Sequence, residues 1–310
     1  MRVLVLGGLG FIGRSIVEKL QAQEADVLVG SRKKSTNANQ LEVNFQAMLH
    51  KEDWLPILRE VDVVVNSVGI LRERKKGESY EKIHTLAPAA LAKACAKLGV
   101  RFIHISAIGL SLNAKSGFIR SKYLGEQAIL NSGASATIVR SSLLDGEGGY
   151  GAKWFRRVAT WPLQLVMRSD GLIAPLQVAD LGEAVANLCL KRDGNLPKVL
   201  ELGGNETLSI AQYLNWLRAT GQRKAALQIA VPKMLVQLAS HLFDMLAWTP
   251  LSFGHFELMQ GKNVPEVNWL PILLGRTPAD TGLMAEKNDT KVLKKPSKLT
   301  SNYLDPLEAA

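Results

Sequence analysis

Five apolar runs alternate with amphipathic stretches through the first 140 residues. RVLVLG, DVLVG, DVVVNSVG, RFIHIS and ATIVRSS are short, rich in β-branched residues and apolar at nearly every position. Strands covered by helices on both faces read this way, whereas a half-exposed strand alternates. Between them, apolar positions three and four apart predict helices over 11–23, 51–60, 79–98 and 118–131. Such alternation requires right-handed crossovers. The expected fold class is therefore α/β, a Rossmann-type doubly wound parallel sheet whose ligands lie beyond the carboxyl ends of the strands.

After about residue 141 the alternation weakens. DGEGGYG punctuates the chain, KWFRRVATWPLQLVMR reads as a helix broken near Pro162, VADLGEAVANLCLK as a helix, PKVLELGG as a strand, and LSIAQYLNWLRATG as a helix with a glycine stop. These pieces predict a small C-terminal capping lobe interleaved with the end of the sheet domain. The expected division is a Rossmann domain over 1–220, with residues from about 141 contributing partly to the cap, a helical lobe over 221–285 and a flexible basic tail over 286–310. In VPKMLVQLASHLFDMLAW, Leu235, Leu238, Leu242, Met245 and Leu246 share one helical face and Lys233, Gln237, His241 and Asp244 the other. Core packing is one reading of that helix, and docking to a membrane surface or a large partner is the other.

GGLGFIG sets Gly7, Gly10 and Gly13, with Phe11 and Ile12 before the last, directly after a strand and at the start of a helix. In that context Gly7 permits the tight turn, Gly10 lets a pyrophosphate approach the backbone, and Gly13 lets the helix pack close to the strand. A nicotinamide dinucleotide is the expected ligand. After the second strand, where an NAD-selective site places a carboxylate, the chain reads GSRKKS. Arg32 suits a bidentate clamp on a 2′-phosphate, Ser31 adds a hydroxyl and Lys33 a nearby charge, so NADP(H) is favoured over NAD(H).

With GxxGxxG at the start, NSVGI after the DVVV strand, HISA at the end of the RFIHIS strand and SKxxGE on the next helix, the chain resembles the short-chain dehydrogenase/reductase superfamily. VVVNSVGIL, HISAIGL, RSKYLGEQ and APLQVADLGEAV are similar to atypical, extended-type members related to the nucleotide-binding accessory subunit of respiratory complex I. The resemblance spans roughly residues 1–220. It implies that Asn66 and Gly69 lie along the cofactor, that Val68 lies against the adenosine side and that Asn44 faces the adenine, where the family often has an aspartate just before. It also implies that Ser106 polarises a substrate carbonyl and that Lys122 hydrogen-bonds the nicotinamide ribose. Active members need a tyrosine one helical turn before that lysine as their acid or base, and here the position holds Phe118. Tyr123 points about 100° further around the helix; Tyr80 and Tyr150 are candidate substitutes from loops.

The implied function is thus an NADP(H) holder with a structural, assembly or redox-sensing role near a respiratory or quinone-linked membrane complex. The alternative is an active NADP(H)-dependent oxidoreductase or epimerase that uses an acid other than residue 118. The net charge of +10 suits phosphates, anionic lipid or acidic partners. Nucleic acid is not expected, because the basic clusters at 32–34, 72–76, 153–157 and 287–298 lack interleaved aromatics on one continuous element. His84 and His104 read as structural, and no metal-ligand spacing occurs. Cys95 and Cys189, far apart in helical segments, offer no disulfide framework. The opening strand leaves no room for a secretory signal, and charges interrupt the most apolar region, so no transmembrane segment is expected; the implied location is cytoplasmic or peripheral at the inner face of a membrane.

Overall fold

The computed structural model describes residues 1–33, 36–73, 78–167, 169–191, 196–232, 253–280 and the single positions 234 and 236. The expected tail at 286–310 and most of the amphipathic stretch at 232–248 fall outside them. Strands β1 (Arg2–Leu6), β2 (Asp26–Ser31), β3 (Gln40–Glu42), β4 (Val63–Asn66), β5 (Arg101–Ala107), β6 (Ala136–Ser141) and β11 (Val199–Leu202) form one parallel sheet in the order β11-β6-β5-β4-β1-β2-β3. The order reverses between β1 and β4, the switch point at which open α/β sheets bind ligands.

The apolar runs are explained by two cores. Val3 and Val5 of β1 face one of them with Val63 and Val65 of β4, while Leu4, Leu6 and Val64 face the other. The first core is roofed by helices α1 (Phe11–Gln21) and α6 (Val178–Leu190), the second by α2 (Lys51–Leu58) and α3 (Ala87–Leu98). Cys95 and Cys189 are buried free thiols pushed up to about 12 by burial, which suits packing and not reactivity.

Two expectations need correction. The helix expected over 79–98 is a π-helix over Glu81–Leu86 that runs into α3. The segment around Pro162 is not one broken helix: α5 (Tyr150–Ala159) ends, and LQLVM becomes strand β8 (Leu163–Met167). Its burial alternates strictly, with Gln164 and Val166 inward and Leu163 and Leu165 outward, and that period of two belongs to a strand. β8 pairs in parallel with β12 (Leu227–Val231), so the region expected as a helical lobe over 221–285 begins with a strand. It continues in α8 (Phe253–Gln260), β13 (Lys262–Asn263) and α9 (Leu270–Leu274). α9 buries Leu270, Leu273 and Leu274 in the first sheet core, and Asn187 of α6 donates to the Leu273 carbonyl at 2.8 Å. A third, smaller core joins α5 to α7 (Ile210–Thr220) through Phe155, Ile173, Tyr213 and Leu217.

Candidate functional site

The turn from β1 into α1 is built on close backbone approach. Gly7 has φ +76, in the left-handed region that a side chain disfavours, and its N–H donates to the Gly30 carbonyl at 2.8 Å. A Cβ on Gly13 would lie 2.2 Å from the Gly7 carbonyl oxygen, so only glycine lets α1 start this close to the strand. Gly10 caps α1 without a side-chain hydrogen bond, which leaves first-turn N–H groups directed outward. The Phe11 ring packs on the 146–149 segment: a Cβ on Gly149 would meet that ring at 2.8 Å, and one on Gly148 would lie 2.9 Å from Arg14 Nη2.

At the end of β2 Arg32 is exposed and paired with Glu78, whose carboxylate arrives from the far side of the cleft, beyond β4. Ser31 Oγ accepts from Gln40 Nε2 at 2.9 Å. Asn44 is exposed and uses its side-chain oxygen to accept the Gln46 N–H at 3.1 Å, closing a local turn. Asn66, fully buried at the end of β4, accepts the Val68 N–H on Oδ1 at 3.0 Å; its amide therefore turns Nδ2 toward His104 Nδ1, 3.1 Å away. Burial, with the Lys122 charge second, brings His104 down to about 3. It is neutral, and it accepts.

The loop after β4 is pinned a second time. The Ile70 N–H donates to His84 Nε2 at 3.1 Å, so the proton of this buried imidazole sits on Nδ1 and points to Ser121 Oγ at 3.0 Å, which donates to the Phe118 carbonyl at 3.0 Å. His84 is held well below its ordinary value by burial first and by the nearby Lys122 charge second. His84 is supplied by the π-helix, an irregularity frequent at functional sites. A Cβ on Gly125 of α4 (Gly117–Leu130) would lie 1.9 Å from the His84 carbonyl oxygen, so that glycine is what lets the two helices touch.

Phe118, in the first turn of α4, is buried edge-on against Tyr80 and His84, with ring centroids 5.9 and 5.6 Å away. One turn later the Lys122 ammonium lies 5.8 Å from the centre of the Phe118 ring and makes no hydrogen bond or ion pair among the described residues. Burial lowers its pKa, partly offset by Glu126, whose own carboxylate is taken by Arg140 at 2.6 Å. Ser106 Oγ, at the carboxyl end of β5, is buried and has no hydrogen-bond partner among the described residues.

These groups line one cavity of about 450 Å³ that runs from Gly10, Phe11 and Ile12 past Gly69, Ser106 and Lys122. Gly7, Gly13, Ser31, Arg32, Asn44 and Asn66 lie outside its wall. Tyr150 is on the wall and half exposed; Tyr80 is not, and its hydroxyl donates to the Leu71 carbonyl at 3.1 Å. A buried hydroxyl and an ammonium without hydrogen-bond partners among the described residues, beside an uncapped glycine turn, are the polar groups that a dinucleotide and a carbonyl compound would satisfy.

The profile of the NAD dependent epimerase/dehydratase family matches residues 3–171, more than half of the chain. The chain belongs to this family. Among named relatives of this epimerase/dehydratase chain, alpha subcomplex subunit 9 of mitochondrial NADH dehydrogenase [ubiquinone] 1 from Dictyostelium discoideum is 25% identical over 79% of this chain and 71% of its own length. The Arabidopsis thaliana counterpart is 28% identical over 66% and 54%, so the chain spans little more than half of that protein. A dTDP-4-dehydrorhamnose reductase of Mycobacterium tuberculosis is 26% identical over 94% and 95%. In fold the chain is similar to the human epimerase family protein SDR39U1 with NADPH, with a TM-score of 0.63 at 20% identity over 90% and 95% of the two chains. It is also similar to MoeE5 in complex with UDP-glucuronic acid and NAD, with a TM-score of 0.62 at 17% identity over 90% and 94%.

Several residues of this epimerase/dehydratase site gave little sign of themselves along the chain. Glu78 lies 46 positions from Arg32 and Gly149 lies 138 from Phe11, and nothing local announces either contact. DGEGGYG did carry a signal, since four glycines in seven residues mark backbone that something approaches closely, but that density also suits a domain boundary. Arg14 follows the glycine turn directly, and its place beside Gly148 is a property of the folded chain.

Proposed function

We propose that the chain holds a nicotinamide dinucleotide across the carboxyl ends of β2, β1 and β4, favouring NADP(H) over NAD(H), and that the bound nucleotide serves structure, assembly or redox sensing more than turnover. The glycine turn would take the pyrophosphate on main-chain N–H groups, Arg32 and Ser31 the 2′-phosphate end, Asn44 the adenine, and Val68 and Gly69 the edge of the cofactor, with Asn66 pinning that loop. Lys122 would hydrogen-bond the nicotinamide ribose and Ser106 a substrate oxygen. When bound, the nicotinamide supplies or accepts hydride. The observation that carries this reading is Phe118: the buried position facing Lys122 holds a ring without an exchangeable proton.

Relatives named as subunits of NADH dehydrogenase [ubiquinone] 1 support an assembly role at a respiratory or quinone-linked membrane complex. No helix among the described residues is long and apolar enough to cross a membrane, and contact at its inner face, from a cytoplasmic location, is the arrangement this reading implies. A nucleotide present at a hundred times its dissociation constant would stabilise the fold by about 2.7 kcal/mol. One observation favours an active oxidoreductase or epimerase as a second reading: the Tyr150 hydroxyl belongs to a side chain on the cavity wall. Purification followed by nucleotide release and an NADPH-consumption assay with carbonyl compounds separates the two. Stoichiometric nucleotide without turnover is expected. Turnover that Tyr150→Phe abolishes would instead establish the enzyme.

A further inference from the structure

The wall of the cavity beyond Ser106 and Lys122 is apolar. Leu143, Trp154, Phe155, Ile210, Leu258 and Met259 close it. The polar side chains among them already have partners: Ser142 Oγ lies 2.9 Å from Asn263 Oδ1 and accepts the Ala174 N–H, and Asn263 Nδ2 donates to the Ile108 carbonyl at 2.7 Å. Among the described residues Lys122 is the one cationic side chain on the wall, and no carboxylate lines it. The cations of α5 are directed elsewhere. Arg156 is held by Asp145 at 2.7 Å, and Lys153 and Arg157 face solvent.

A nucleotide sugar brings two phosphate charges that must be met by cations or N–H donors when they leave water. The inner wall offers them one cation among the described residues, Lys122, which the nicotinamide ribose would occupy, and N–H donors confined to the first turn of α5 at Gly149–Ala152, away from the apolar surface. It offers instead a long apolar surface that ends at one unsatisfied hydroxyl. A ligand that is hydrocarbon over most of its length, with a single oxygen at one end, satisfies both.

We propose that this cavity binds an uncharged apolar carbonyl compound, its oxygen accepting from Ser106 Oγ and its hydrocarbon part lying between Trp154 and the Leu258–Met259 wall, and not a nucleotide sugar. The inference rests on the nucleotide reading only for which end of the ligand faces the nicotinamide. It extends that reading to the substrate class.

The test titrates the purified protein, with and without saturating NADP⁺, with the ketone series 2-pentanone, 2-heptanone, 2-nonanone and 2-undecanone, and separately with UDP-glucose, following tryptophan fluorescence and heat. Affinity is expected to rise by about threefold to fourfold per added methylene, the increment for burying a CH2 group, until the cavity is filled. Ser106→Ala should weaken every ketone by a similar factor and leave the chain-length slope intact, while Leu258→Glu should flatten the slope. Affinity independent of chain length in the wild-type protein would overturn the proposal, and so would UDP-glucose binding more tightly than 2-undecanone. The two readings fail separately. A steep ketone series without NADP⁺ binding sinks the nucleotide assignment alone, and NADP⁺ binding with a flat series sinks this one alone.

Discussion

If the proposed preference for NADP(H) holds, Arg32 would decide between the two nicotinamide nucleotides, and its pairing with Glu78 would set how strongly. A guanidinium that donates to a phosphate makes a charge-assisted hydrogen bond worth about 1.5–3 kcal/mol. Against it stands the ion pair that Arg32 must loosen. Its side chain is 68% exposed while that of Glu78 is 11% exposed, and a pair whose guanidinium is in water is worth about 0.2–1 kcal/mol. The difference leaves about 0.5–2.8 kcal/mol for the 2′-phosphate, or about 2-fold to 110-fold in affinity. Arg32→Ala should therefore weaken NADPH by that factor and change NADH by less than about twofold. Glu78→Gln should act in the opposite direction, because it frees the guanidinium and removes a like charge from the phosphate, strengthening NADPH by about 1.4-fold to 5-fold. Calorimetric titration of the wild type and both variants with each nucleotide reads all of this. Equal losses for NADPH and NADH in Arg32→Ala would refute the clamp, and unchanged NADPH affinity in Glu78→Gln would refute the competition.

Three other outcomes follow from the geometry. His84 and His104 are buried neutral and their pKa values are lowered on folding, so their stability contribution is present above the unfolded value of about 6.5 and is lost as pH falls toward the folded value, about 3 for His104. Urea unfolding between pH 6.5 and 4.5 should show each histidine costing up to about 1.4 kcal/mol per pH unit, and His104→Gln should flatten that dependence. Gly125→Ala drives a methyl group into the His84 carbonyl and should lower the melting temperature by about 2–10 °C, whereas Gly151→Ala, on α5 with open space at its Cβ, should leave it unchanged or raise it. Phe118→Tyr should leave nucleotide affinity within about twofold by fluorescence titration, because residue 118 contributes ring area and no hydrogen bond to the expected ligand.

The sheet was legible along the chain because strands buried on both faces must be apolar at consecutive positions, and RVLV and VVV carry that mark. The glycine turn was legible for a similar reason: Gly13 is required by a contact only six residues away. β3 escaped notice because three residues are too few for a period. β8 escaped because Pro162 and the preceding arginines suggested a broken helix, while the alternation that makes LQLVM a strand matters only once β12, 64 positions onward in register, lies beside it. The π-helix has no pattern of its own, since its extra residue shows only where Gly125 lets the His84 carbonyl approach.

What chemistry remains to the site follows from its charges. Two buried histidines are both neutral, one as the acceptor of a backbone N–H and the other as the acceptor of an amide, so neither has a free nitrogen lone pair with which to take a substrate proton. The lysine has no acceptor among the described residues and faces a ring whose π-cloud attracts it, an arrangement that holds the ammonium in place without giving it a proton partner. Ser106 can donate one hydrogen bond, but a hydroxyl whose proton is engaged that way polarises an oxygen more readily than it protonates one. On the proposed reading the wall would orient a dinucleotide and bind a carbonyl oxygen, yet among the described residues the proton that completes a reduction has no source closer in role than Tyr150 on the cavity wall or the solvent. Such a site would, on that reading, bind a nucleotide without a buried proton donor of its own, the combination expected where the bound nucleotide is itself the functional state.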